Sequence, residues 1–235
     1  MTDRQRIIAG TICVALLAGG ALLAGPPLIC PKVVLSPDER ASLGAAGSKK
    51  APLEDAIRDL IAVLDRMDTG RIHMEAVRFF FMQGHSSEAA GKALIDALQR
   101  RVDRAGKRKN HDLARYDLAI ARVIYGYHEK GALEWVDTMA QVADARGDAM
   151  LLIGVSEALD LVGDSARSLP HHLLGRLSLD YYERALELLA AGDDGGDPLA
   201  RELVKAHLPF IRGMHSRDWD WERLEKKWGD LARAK

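Results

Sequence analysis

From Leu53 to the end of the chain, apolar residues return every three or four positions, and this spacing constrains the fold more than any other feature. Leu53, Ile57, Leu60, Ile61, Leu64 and Met67 lie on one such stripe. Leu94, Ile95, Leu98 and Val102 form the next, followed by Leu113, Tyr116, Ile120, Val123 and Tyr127, and by Leu133, Val136, Met139 and Val142. A 3.6-residue period of this kind places the apolar side chains on one face of a helix. No run alternates with period two between turn residues, so the expected fold is all-α. The breaks are short and rich in Gly and Asp ("DTG", "AGKRKNHD", "ARGD", "GDDGGDP"), which favours antiparallel neighbours.

Several helices run into glycine: "AVRFFFMQGH" at Gly84, "RVIYGYHEKG" at Gly131, "VSEALDLVGD" at Gly163 and "HLPFIRGMH" at Gly213. Glycine supplies the left-handed residue of a helix C-cap. The spacing of these stops predicts helix pairs of roughly 32 to 50 residues, the range of helical solenoid repeats. "RFFFM" and "AMLLIGV" are apolar nearly all round and are expected inside. "PLEDAIRDLIAVLDRM" and "EAAGKALIDALQRRV" carry one polar face and are expected outside. The expectation is a two-layer, solenoid-like array of antiparallel helix pairs over residues 53–235.

"ALDLVGD" (Ala158 to Asp164), preceded by "AMLLIGVSE", resembles the second helix of a HEAT repeat, and "EAVRFFFMQG" carries the Val77-Arg78 pair common in such helices. The resemblance covers about residues 70–165. The spacing is unequal and the first-helix proline is missing. "DYYERALELL" (Asp180 to Leu189) is similar to the second helix of a tetratricopeptide repeat, without the 34-residue period. Either resemblance implies stacked helix pairs whose surfaces bind protein.

The N-terminus differs. Arg4 and Arg6 precede Ile7 to Ala24, a stretch with no charged residue. About 18 to 20 apolar residues cross a bilayer's hydrocarbon layer. Residues 1–24 read as a signal anchor or a signal peptide; the nearest small-x-small cleavage candidate, Ala18-Gly19-Gly20, lies inside the apolar run. Arg4 and Arg6 place the N-terminus in the cytoplasm and the body outside it, against the weaker pull of Lys32, Lys49 and Lys50. Ala15 and Gly19 form a small-xxx-small pair. The two cysteines, Cys13 and Cys30, both fall in or beside this segment. Cys30 resembles a lipoprotein acylation site, but Ile29 and Pro27 depart from that pattern. Residues 25–52 hold five of the eight prolines and the "GAAGS" run, and read as a linker. Within it, Ser36, Pro37 and Glu39 spell a capping box, predicting a helical turn or two near Pro37 to Leu43.

Little in the chain spells catalysis. There is no H-E-x-x-H, no pair of histidines at i, i+4, no G-x-S-x-G and no phosphate loop. His171 and His172 are adjacent and diverge on a helix. Asp193, Asp194 and Asp197 lack the remaining ligands of a calcium loop, and Asp197 with Pro198 reads as a helix cap. No cofactor is called for. The net charge of −1 argues against a nucleic-acid binder. The charged run Arg100, Arg101, Arg104, Lys107, Arg108 and Lys109 is the candidate contact for an anionic lipid or acidic protein partner. Trp221, Leu224, Trp228 and Leu231 share one face of a terminal helix, 218–234, expected to cap the array. Trp219 lies off that face and is the second candidate contact. The expected function is a membrane-tethered protein-binding or scaffold module outside the cytoplasm. The alternative is an envelope hydrolase with an unidentified carboxylate site, for which a buried or cleft-lining acid would speak.

Overall fold

The computed structural model describes residues 33–106, 110–126, 131–163, 171–192, 197 and 199–214. Every described secondary-structure element is helical, with no strand among the described residues. The helices are α1 (Pro37–Ser42), a 3-10 turn (Gly44–Gly47), α2 (Leu53–Arg66), α3 (Gly70–Met82), α4 (Glu88–Ala105), α5 (His111–Gly126), α6 (Ala132–Arg146), α7 (Ala149–Gly163), α8 (His171–Ala190) and α9 (Ala200–Met214). The chain divides into two units, Met1–Pro31 and Lys32–Lys235. The span read at residues 7–24, the candidate Cys30 and the terminal helix 218–234 lie outside the described residues. No helix among the described residues is long and apolar enough to cross a membrane.

The helix boundaries follow local chemistry. Ser36 Oγ accepts from Glu39 N at 3.2 Å while Glu39 Oε2 accepts from Ser36 N at 2.7 Å, a complete capping box with Pro37 at the first helical position. Ser87 caps α4 by accepting from Ala90 N. Asp148 Oδ1 accepts from Met150 N at 2.9 Å and from Leu151 N at 3.2 Å, capping α7. Gly147 ends α6 with φ 61°, a left-handed residue that L side chains adopt at a cost.

Two glycine stops differ from expectation. α5 ends at Gly126, and Gly131, with φ 101°, stands at the entry of α6 rather than at the exit of α5. α9 continues past Gly213 to Met214. A glycine permits a left-handed turn at either end of a helix, so its presence alone does not say which end it marks.

Helices α4 through α8 pack each on the next, as short connections require. α3, α5 and α7 also touch one another, so they form an inner set. Their apolar residues, among them Val77, Phe80, Tyr116, Val123, Leu152 and Val155, are fully buried. α2, α4 and α6 bury one stripe each, for example Ala56, Leu60, Val63 and Leu64 of α2, as their patterning predicts.

The stretch read as a linker needs correction. Val33, Leu35, Leu43 and Ala46 are buried in the core, and the 3-10 turn packs on α2. Arg40 donates from Nε to the Leu35 carbonyl and from Nη2 to the Val33 carbonyl, both at 3.1 Å. Asp59 accepts from Ala45 N at 2.9 Å. Residues 33–47 therefore form a strap on the body, held by these four apolar residues.

Candidate functional site: charges gathered on the central helix

α3 is the innermost helix, buried along Gly70 to Phe80, yet it carries Arg71, His73, Glu75 and Arg78. A buried charge is costly unless paired and hydrogen-bonded. Each of these side chains meets an opposite charge from another part of the chain, and three clusters result.

The first joins the strap, α3 and Asp197, three residues ahead of α9. Arg71 donates from Nη2 to Glu39 Oε1 at 2.6 Å and from Nη1 to Glu39 Oε2 at 2.9 Å. Nη1 also donates to the Val34 carbonyl at 2.9 Å, and Nε donates to Asp197 Oδ2 at 2.6 Å. The guanidinium fork matches this planar, divergent set of acceptors. Burial pushes the Glu39 carboxyl up, but the hydrogen bonds from Arg71 and Ser36 outweigh it and hold the group below its ordinary range. Asp197 also accepts from Leu199 N at 2.9 Å just ahead of α9, and its second oxygen is held by Arg71; Pro198, expected at the first helical position, lies outside the described residues.

The second cluster joins α2, α3, α4 and α5. His73 Nδ1 lies 2.9 Å from both oxygens of Asp117, and Nε2 lies 3.0 Å from the Met67 carbonyl. Both ring nitrogens therefore face acceptors, and both bonds form only when each nitrogen carries hydrogen. Arg101 donates from Nη1 to Asp117 Oδ2 at 2.5 Å, from Nε to Asp65 Oδ1 at 2.5 Å and from Nη2 to the Leu64 carbonyl at 2.8 Å.

The third cluster joins α3, α7 and α9. Arg78 Nη1 lies 3.3 Å from Glu75 Oε1 and 3.2 Å from Glu157 Oε2. His207 Nδ1 lies 2.6 Å from Glu157 Oε1, and its Nε2 lies 3.6 Å from Glu75 Oε1. Burial pushes Glu157 up, but Arg78 and His207 outweigh it and hold the carboxyl below its ordinary range. Burial pushes His207 down, but Glu157 and Glu75 outweigh it and raise the imidazole above its ordinary value. Tyr182 of α8 is buried with its hydroxyl unpartnered, and burial first, then Glu157, raises that hydroxyl.

The cationic contact expected at the end of α4 divides. Arg100 and Arg104 are exposed. Arg101 is not a surface residue: it is 4% exposed and spent on Asp117, Asp65 and Leu64. The reason lies in helix phase, since Arg101 falls on the same stripe as the buried Leu94, Ala97 and Leu98. Lys107, Arg108, Lys109 and Trp219 lie outside the described residues. The α3 charges carry no motif that marks them as a site; the signal is that a helix apolar nearly all round buries whatever charges it holds. Among the described residues, no group of three or more His, Cys, Asp or Glu side chains is placed to hold a metal ion. Comparison with protein-family models, with curated proteins and with solved structures gives no match.

Proposed function

We propose that this chain is a membrane-tethered helical module that binds another protein outside the cytoplasm, its helix pairs stacked as a two-layer, solenoid-like array. The observation that carries the reading is the division at the end of α4. Arg101 is pinned inward by three acceptors, while Arg100 and Arg104 on either side stand in solvent. The cationic helix end is thereby held by the core, and Lys107, Arg108 and Lys109 follow directly in sequence. A rigid cationic end suits an acidic protein surface, because little side-chain and backbone freedom is lost on contact. The uncharged run at 7–24 behind Arg4 and Arg6 supports the tether.

Affinity capture from membranes tests this. Neutralising Arg100, Arg104, Lys107, Arg108 and Lys109 together, with Arg101 kept, should abolish recovery of the partner, and recovery by the unmodified chain should weaken with salt. Equal recovery by both chains overturns the cationic contact.

The hydrolase reading has one observation in its favour, the convergence of the buried acids Glu75 and Glu157 on His207. A general acid works best when its carboxyl is tuned toward the operating pH. Glu157 is held the other way, by two cations, which suits joining helices better than donating protons. Turnover of a substrate by the purified chain, lost in Glu157→Gln, would restore that reading.

A further inference from the structure

α9 is fixed to the body at two places of different chemistry. At its start, Asp197 accepts from Leu199 N and pairs with Arg71. Two turns further on, His207 enters the third cluster, fully buried. Between them Leu203 and Val204 bury apolar surface.

We propose that His207 is a proton-dependent latch, which clamps α9 against α3 and α7 as an imidazolium and loosens that helix when it gives up its proton. The groups facing it are Glu75 and Arg78 from α3 and Glu157 from α7. Asp160 is buried one turn along α7 from Glu157, and Tyr182 of α8 is buried near the same carboxylate. On α9 itself, Lys205 and Glu202 pair with each other at 3.4 Å and are outside the cluster.

With His207 protonated, two carboxylates meet two cations, Arg78 and the imidazolium, and their charges cancel. The neutral imidazole leaves the buried Glu75 and Glu157 to one guanidinium, a less compensated arrangement. With its remaining hydrogen on Nδ1 for Glu157, the neutral ring turns the Nε2 lone pair toward Arg78 Nη1 at 3.5 Å and Glu75 Oε1 at 3.6 Å, so the Glu75 contact is the one given up. Opening of α9 returns Glu157 and Glu75 toward water, so deprotonation favours opening. The first anchor does not follow, because the contact of Asp197 with Arg71 contains no histidine. The result is a helix hinged at its N-terminal end and released along its length.

The sign follows from the direction of the shift. A histidine raised above 6.5 in the folded state contributes its stabilisation fully below that value, and the contribution is lost as pH rises through the higher folded value. α9 is therefore clamped in the mildly acid and lower neutral range, where Glu157 is still ionised, and loosened on the alkaline side.

Hydrogen exchange on the full chain in detergent micelles tests the latch, with each amide corrected for its intrinsic pH-dependent rate. Between about pH 6 and about pH 9, protection of residues 200–207 should fall relative to that of α5. His207→Gln should show low α9 protection throughout and no such fall. Glu157→Gln removes one acceptor and should move the midpoint to lower pH. A constant ratio between α9 and α5 in the unmodified chain overturns the proposal. So does the unmodified profile in His207→Gln, or an unmoved midpoint in Glu157→Gln. Should His207→Gln fail to fold, the unmodified profile and the Glu157→Gln midpoint decide.

Discussion

His73 Nδ1 stands 2.9 Å from both carboxylate oxygens of Asp117, and neither side chain reaches solvent. The same carboxylate takes Arg101 at 2.5 Å, so one acid on α5 meets side chains from α3 and α4 together. Asp117→Asn removes the charge and turns an amide donor toward two donors. Breaking a buried pair in this way costs about 3–5 kcal/mol. Urea unfolding should show the loss, and Arg101→Ala should show one of similar size. Because both delete the same contact, the double variant should cost less than the sum of the two.

Gly154 of α7 meets α5 at close range. A Cβ built there would run into the Tyr116 hydroxyl and come within 3.0 Å of Met74 Cγ. Tyr116 is held in place by donating to the Leu151 carbonyl at 3.1 Å, and it is fully buried. Gly154→Ala is expected to lose about 1–3 kcal/mol through overpacking, against the small gain alanine normally brings to a helix. Tyr116→Phe in the same chain removes the obstructing oxygen and should recover part of the loss in the urea midpoint.

Arg71 joins the strap to the start of α9 through one guanidinium. Lysine keeps the charge but cannot meet both Glu39 oxygens, the Val34 carbonyl and Asp197 at once. Arg71→Lys should cost about 1–3 kcal/mol. In hydrogen exchange, residues 33–43 and 199–204 should lose protection together, although they lie far apart in sequence. Loss at only one of these segments would contradict the shared anchor.

Stability should fall at both ends of the pH range. Glu39 and Glu157 are held below the ordinary 4.5, so their contributions are complete above that value and vanish as pH drops through the lower folded values. His207 is raised, so its contribution vanishes on the alkaline side. Glu39→Gln should flatten the acid limb and leave the alkaline limb in place, as measured by urea melts across pH.

The helices were legible in the sequence because a repeating apolar face repeats in the letters. The Ser36 capping box and the Asp197 cap were legible too, since each is a local exchange of hydrogen bonds between residues two or three apart. Arg101 departs from the cationic surface run because helix phase sets its direction: it follows Leu94, Ala97 and Leu98 on the buried stripe, a signal that composition does not carry. The strap was misread for a similar reason, with prolines and glycines outweighing Val33, Leu35 and Leu43. The pairing of Arg71 with Asp197 and the approach of His207 to Arg78 were not legible at all. No local pattern marks contacts that span 126 and 129 positions.

Those two spans bear on the order in which the molecule assembles. Loop closure over such distances is slow, and its entropy is spent before any contact repays it. During synthesis the charged residues of α3 leave the ribosome about a hundred residues or more ahead of the acid and the histidine that complete their clusters. Until α9 arrives, Arg71 lacks Asp197, and Glu75 and Glu157 lack His207, so closing the interior early would strand charge in it. The arrangement disfavours a prematurely compact chain and makes the last described helix the one that completes the core.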